Sequence, residues 1–171
     1  VFTCPSCLHI WHHVYREAAG GKLPFELLHA TELLSAMVDD GRLKFRPIPA
    51  QRVTYHDPCD LGRKERIFEA PRRVLSAIPG VELVEMRDNR ANSHCCGGGG
   101  NLETFAPELS KAISLGRIRQ AAATGAGVAV ATGASFCGLT VMLTVAGPTV
   151  TVPSDTVNVK LSFVPPPLPH Q

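Results

Sequence analysis

The stretch His94-Cys95-Cys96-Gly97-Gly98-Gly99-Gly100-Asn101 constrains this chain more than any other. Four consecutive glycines make a poor helix and pack nothing. Each lacks a Cβ and loses more backbone freedom on ordering than any other residue. Such a run makes sense where the backbone must come close to something or adopt a φ that other residues resist. The two thiols beside it cannot easily bridge each other, because a disulfide has strict Cα and Cβ separations. Two thiolates offered side by side on a bare backbone suit a bulky ligand containing several metal ions. The competing reading is a flexible loop with two idle thiols.

The remaining cysteines sharpen the choice. Between Cys59 and Cys95 stand 35 residues, and between Cys96 and Cys137 stand 40. Each cysteine site follows a β-like run: Val53 to His56 before Cys59, Val81 to Val84 before the double cysteine, Val128 to Ala131 before Cys137. In open α/β sheets, ligands gather just beyond the carboxyl ends of the strands. Three such loops at one sheet edge would gather Cys59, Cys95, Cys96 and Cys137. Composition agrees with that class. A chain of 171 residues can build one α/β domain with a real core. Six cysteines are too sparse for a disulfide scaffold and suit metal or redox chemistry in a reducing compartment. A net charge of +2 gives no basis for nucleic-acid binding. No uninterrupted apolar run approaches the roughly 18 residues of a membrane span.

Tyr55-His56-Asp57-Pro58-Cys59-Asp60-Leu61-Gly62-Arg63 and Glu85 through Cys95-Cys96-Gly97-Gly98-Gly99-Gly100 together resemble the cysteine-rich "CCG" domain of heterodisulfide reductase-like iron–sulfur proteins. Similar subunits serve anaerobic glycerol-3-phosphate dehydrogenase, glycolate oxidase and lactate utilisation. The resemblance runs from Val1 to about Leu143. It implies a small, mainly parallel sheet flanked by helices, with the cysteines on loops at the C-terminal edge of the strands. It also implies a [4Fe-4S] cluster, in heterodisulfide reductase a noncubane one held by five cysteines, with Cys59, Cys95, Cys96 and Cys137 as the ligands present. The family pattern closes with Cys-Pro-x-Cys. Here Ala134 and Ser135 stand where its first cysteine and its proline belong, so one ligand is missing.

The function implied is electron transfer as a subunit or module of an oxidoreductase complex. Its partners would be a flavin-dependent dehydrogenase or another redox subunit, and its place the cytoplasm or, through a partner, the inner face of the membrane. Around the cluster, His56 and Asp57 would orient it, donate to a sulfide or cap their own loop through backbone bonds, capping being the expectation. Arg63 would balance its charge, or sit in a solvated loop. Gly97 and Gly98 would let the backbone approach and aim amides at sulfur. In the alternatives, the same four thiolates bind zinc in a structural or docking domain, or the chain is a metal-free fragment.

Residues 1–50 are expected to be the end of a first cysteine-rich repeat plus a linker, 51–145 the second repeat, and 146–171 an atypical β-like and proline-rich tail. Cys4 and Cys7 would then be ligands of a second site whose partners lie upstream in a longer protein; left without partners, they would be unoccupied thiols or a disulfide. A helix is expected from Leu8 to about Ala18, closed by Gly20-Gly21. On it, His9 and His13 share a face at i, i+4 and could join Cys4 or Cys7 on zinc, but a solvated face is the expectation. Trp11 and Tyr15 share the same spacing and should pack. A short strand is expected at Phe25 to His29 and a helix at Thr31 to Val38. A long helix should open at Pro107, with Leu109, Ile113 and Ile118 as its core contacts.

Overall fold

The computed structural model describes residues 1–132; Ala134, Cys137 and the tail after them lie outside the described residues. Three parallel strands lie in the order β2-β1-β3: β1 (Gln51–His56) in the centre, β2 (Val81–Val84) and β3 (Val128–Ala131) on either side. Thr54 pairs with Val84 on one side and with Ala129 on the other. β1 buries Val53, Thr54 and Tyr55 in succession. A continuous buried run, not an alternating one, belongs to a parallel strand covered on both faces. Helix α4 (Glu69–Ser76) makes the crossover from β1 to β2, and α6 (Pro107–Ala122), preceded by the short α5 (Leu102–Phe105), that from β2 to β3. Because the strands are parallel, the chain leaves all three at the same edge. This is the α/β arrangement expected from the sequence.

The first helix forms as expected. α1 (Pro5–Ile10) has proline in its first turn, passes through a π-helical stretch, Trp11–Tyr15, and ends in α2 (Arg16–Ala18). Trp11 packs on Tyr15, Phe25 and Phe2, with centroids 4.8, 5.8 and 6.1 Å away. The strand expected at 25–29 shrinks to one parallel bridge, Phe2 to His29. His29 instead caps α3 (Ala30–Asp39): its ring accepts from the Thr31 N–H, and the Glu32 carboxylate accepts from its own backbone N–H at 2.9 Å. Leu8 of α1 and Leu61 are both fully buried, and they dock the first helix on a π-helical turn, Asp60–Lys64, that follows Cys59.

Helix α6 forms where expected but packs otherwise. Leu109 and Ile118 are half exposed, and the residues it buries are Ser110 and Arg117. The apolar residues of this helix are scattered around its circumference. Ser110, Ser114 and Arg117 recur at i, i+4 and i+7 and form a polar stripe against the loops of the sheet edge.

A buried ion pair sits under that edge. Arg72 of α4 grips Asp57 with two nitrogens, at 2.6 and 2.8 Å, and Glu85 with two more contacts, at 2.6 and 3.0 Å. The Asp57 and Arg72 side chains are only 1% and 5% exposed. Burial works against the guanidinium charge, but the bonds from Asp57 and Glu85 outweigh it and raise the Arg72 pKa. The Arg72 guanidinium also lies over the Tyr55 ring, 5.2 Å from its centroid. An Arg72→Met variant leaves a buried carboxylate without its counter-charge. We expect it to lose about 3–5 kcal/mol of unfolding free energy in a denaturant titration; a loss within about 0.5 kcal/mol, typical of surface substitutions, would contradict this role.

Candidate metal centre

Cys59 sits three residues beyond the end of β1 and is half-buried; Cys95 and Cys96, in the longer loop after β2, are exposed. Asp57 and Ser93 join these two loops. The Asp57 carboxylate accepts the backbone N–H of Arg90 at 2.7 Å, and the Asp57 carbonyl accepts the Ser93 hydroxyl at 3.1 Å. Arg90 presents that N–H from a left-handed backbone conformation, φ +52°, which a non-glycine residue adopts at a cost. Arg63, in the π turn after Cys59, donates to the Ser93 carbonyl at 3.2 Å. Neither His56 nor Asp57 caps its own loop, as local bonding had suggested. Asp57 holds α4 and the second loop, and His56 faces α6.

Arg117 of α6 completes the junction. It donates to His56 Nδ1 at 2.9 Å, to the Ser93 hydroxyl at 2.9 Å and to the Asp88 carbonyl at 2.8 Å. Burial, and then the Arg117 charge, push His56 down to about 4. The ring is therefore neutral at pH 7, and with Nδ1 accepting, its proton sits on Nε2. The polar stripe of α6 also carries the glycine run. Ser110 donates to the Gly97 carbonyl at 2.8 Å, and Ser114 to the Cys96 carbonyl at 2.7 Å. Gly97 has φ +83°, and a Cβ there would stand 2.5 Å from the Ser110 carbonyl oxygen. Its lack of a side chain is thus demanded by α6. The Gly97 N–H points at the Cys95 sulfur, 3.4 Å away. A Cβ on Gly98 would meet only the Cys96 sulfur, at 4.0 Å. An open cavity of about 480 Å³ lies here, lined among others by Arg63, Ser93, His94, Cys95 and Arg117.

Thiolates are soft donors of the kind that hold iron–sulfur clusters or zinc. Zinc bound by four thiolates at about 2.3 Å brings sulfurs to roughly 3.8 Å from each other. Among the described residues, no three cysteine sulfurs lie within 4.8 Å of one another. The described cysteines form no disulfide with one another, Cys4 and Cys7 included. Cys4 instead caps α1, its sulfur accepting the Cys7 N–H at 3.4 Å.

The cysteine-rich domain model, CCG, matches residues 53–142, slightly more than half the chain and both cysteine loops. The chain belongs to this cysteine-rich domain family. It is 36% identical over 137 residues to one subunit of the dihydromethanophenazine:CoB–CoM heterodisulfide reductase of Methanosarcina barkeri, covering 80% of this chain and 33% of that protein. It is 38% identical over 112 residues to a probable iron-sulfur-binding oxidoreductase, FadF, of Bacillus subtilis, covering 66% of this chain and 16% of that one. One subunit of the fumarate reductase (CoM/CoB) of Methanothermobacter marburgensis is 39% identical over 87 residues, covering 51% and 17%. The chain thus spans about a third of the heterodisulfide reductase subunits it matches, and less of the others.

Sequence reasoning missed Arg117, Ser110 and Ser114. Their signal was present as polar residues at helical spacing in a helix read only for its apolar positions. The His56 ring makes a measurable prediction. Its folded pKa lies below the ordinary value of about 6.5, so its contribution is complete above pH 6.5 and is lost as pH falls towards 4. The loss amounts to roughly 3 kcal/mol at most. Unfolding midpoints measured between pH 7 and 4 should fall less steeply in His56→Asn than in the parent chain; identical slopes would contradict the assignment.

Proposed function

We propose that the thiolates of Cys59, Cys95, Cys96 and Cys137 hold an iron–sulfur cluster of the [4Fe-4S] type, and that the chain is an electron-transfer module of a redox complex. The observation that carries this reading is the clamp between the two cysteine loops. Ser93 and Asp57 fix side by side the loops that carry Cys59, Cys95 and Cys96. The relatives carry iron–sulfur and reductase names, which supports the same reading. Four thiolates are what a cubane cluster requires; a five-cysteine cluster would need a ligand where Ala134 stands.

When bound, such a cluster supplies one-electron transfer at a potential set by its surroundings. The chain's own residues do the rest. The Gly97 N–H donates to the Cys95 sulfur. Arg63 on the surface and Arg117 in the interior place positive charge beside the negative site. His56 stays neutral beside Arg117 and adds no further charge. Gly98 keeps the approach to Cys96 open.

Because the relatives include subunits of reductases, the partners we propose are redox subunits: a flavin-dependent dehydrogenase as donor, with a quinone or a disulfide as acceptor. Contact with the cytoplasmic face of a membrane would come through such a partner. No described helix is long and apolar enough to cross a membrane. Residues 1–50 are proposed as the end of a preceding cysteine-rich repeat, with Cys4 and Cys7 as ligands of its site.

Anaerobically purified protein should be brown and carry iron and acid-labile sulfide. Cys59→Ala and Cys96→Ala should each reduce both to background while the circular dichroism spectrum is kept. Iron retained in both variants would contradict the ligand assignment. Colourless protein with stoichiometric zinc would make the domain a structural module instead.

A further inference from the structure

The histidines of the first helix do not form the solvated face expected for them. They converge on Glu65, which closes the π turn after Cys59 and whose side chain is only 5% exposed. His9 Nδ1 and His13 Nε2 lie 2.5 and 3.5 Å from one carboxylate oxygen, and His12 Nδ1 engages the other. One ligand atom each from His9, His13 and Glu65 falls within 4.8 Å of the other two. No other trio of histidine, cysteine or acidic side chains among the described residues does so.

We propose that His9, His13 and Glu65 form a binding site for a divalent transition-metal ion of the zinc type, distinct from the cysteine centre. Two imidazoles at i, i+4 on one helix face are a recurrent way to offer two nitrogens to zinc. A carboxylate from a second element completes three protein ligands and leaves a fourth position for water. His12, bonded to the other carboxylate oxygen, is a positioning residue that fixes the Glu65 orientation. Local backbone supports the arrangement. Both ligand-bearing segments contain a π-helical stretch, Trp11–Tyr15 and Asp60–Lys64, a feature frequent at functional sites. An ion here pins the first helix to the segment carrying Cys59, so it ties residues 1–18 to the cysteine-rich domain and stabilises the folded chain by mass action.

Zinc is the probe, and X-ray absorption separates this site from any cysteine site. The full chain is incubated with zinc, freed of excess by gel filtration and measured at the zinc edge. The expected result is a shell of nitrogen and oxygen at about 2.0–2.2 Å with imidazole outer scattering, since sulfur ligands would stand at about 2.3 Å. His13→Ala and Glu65→Gln should abolish this shell; His12→Ala should keep it with affinity about 10–100-fold weaker. His13 is 60% exposed, so its replacement removes a ligand with little packing, and circular dichroism checks the fold. A sulfur-only shell, a nitrogen and oxygen shell that survives His13→Ala in folded protein, or zinc absent after gel filtration would each overturn the proposal. Iron and sulfide content reports the cysteine centre separately, so either reading can fail without the other.

Discussion

The buried pair of Asp57 and Arg72 is the constraint on which the sheet edge depends. Asp57 is two residues from Cys59, yet its side chain serves other segments: the guanidinium of α4 and the backbone N–H of Arg90 in the double-cysteine loop. Its carbonyl takes the Ser93 hydroxyl. Desolvating two charges offsets much of the attraction between them, so such a pair contributes geometry more surely than stability. Breaking it, however, strands a charge in the interior. The geometry it imposes sets the two cysteine loops against each other before any metal arrives, and pre-set ligands are what a metal site needs from its protein.

Helix α6 adds a second layer to the same design. It meets the loops with hydroxyls and a guanidinium, and so it can sit close to a backbone of glycines that offers no side chains to pack. Ser110 and Ser114 satisfy carbonyls of the Cys96-Gly97 turn, and Arg117 spans His56, Ser93 and Asp88. Buried polar groups that are this fully bonded rigidify a site. The cost is a helix with little apolar anchorage. Leu109 and Ile118 remain substantially exposed.

The parallel sheet, its three strands and the edge bearing the cysteines were legible because they rest on local signals: short Val-rich runs, turn residues and thiols placed beyond them. The long-range polar contacts were not. Nothing in the run from His56 to Cys59 announces that Asp57 will meet Arg72, or that His56 will accept from Arg117, 61 positions away. Gly97 was legible as a glycine that needs its freedom, but the close approach is to Ser110 of α6. The histidines misled for a similar reason. Their spacing showed a shared face, while the residue that faces them, Glu65, is more than 50 positions distant. Periodicity says which residues stand together on one element and does not name their partner across space.

A Mössbauer spectrum of protein produced in medium enriched in iron-57 and purified without oxygen tests the central claim most directly. If the clamped cysteine loops hold a [4Fe-4S] cluster, the iron signal consists of the quadrupole doublets of sulfur-ligated iron in mixed-valence pairs, and it disappears in Cys96→Ala. A spectrum of mononuclear high-spin iron only, or one unchanged by Cys96→Ala, would contradict the account.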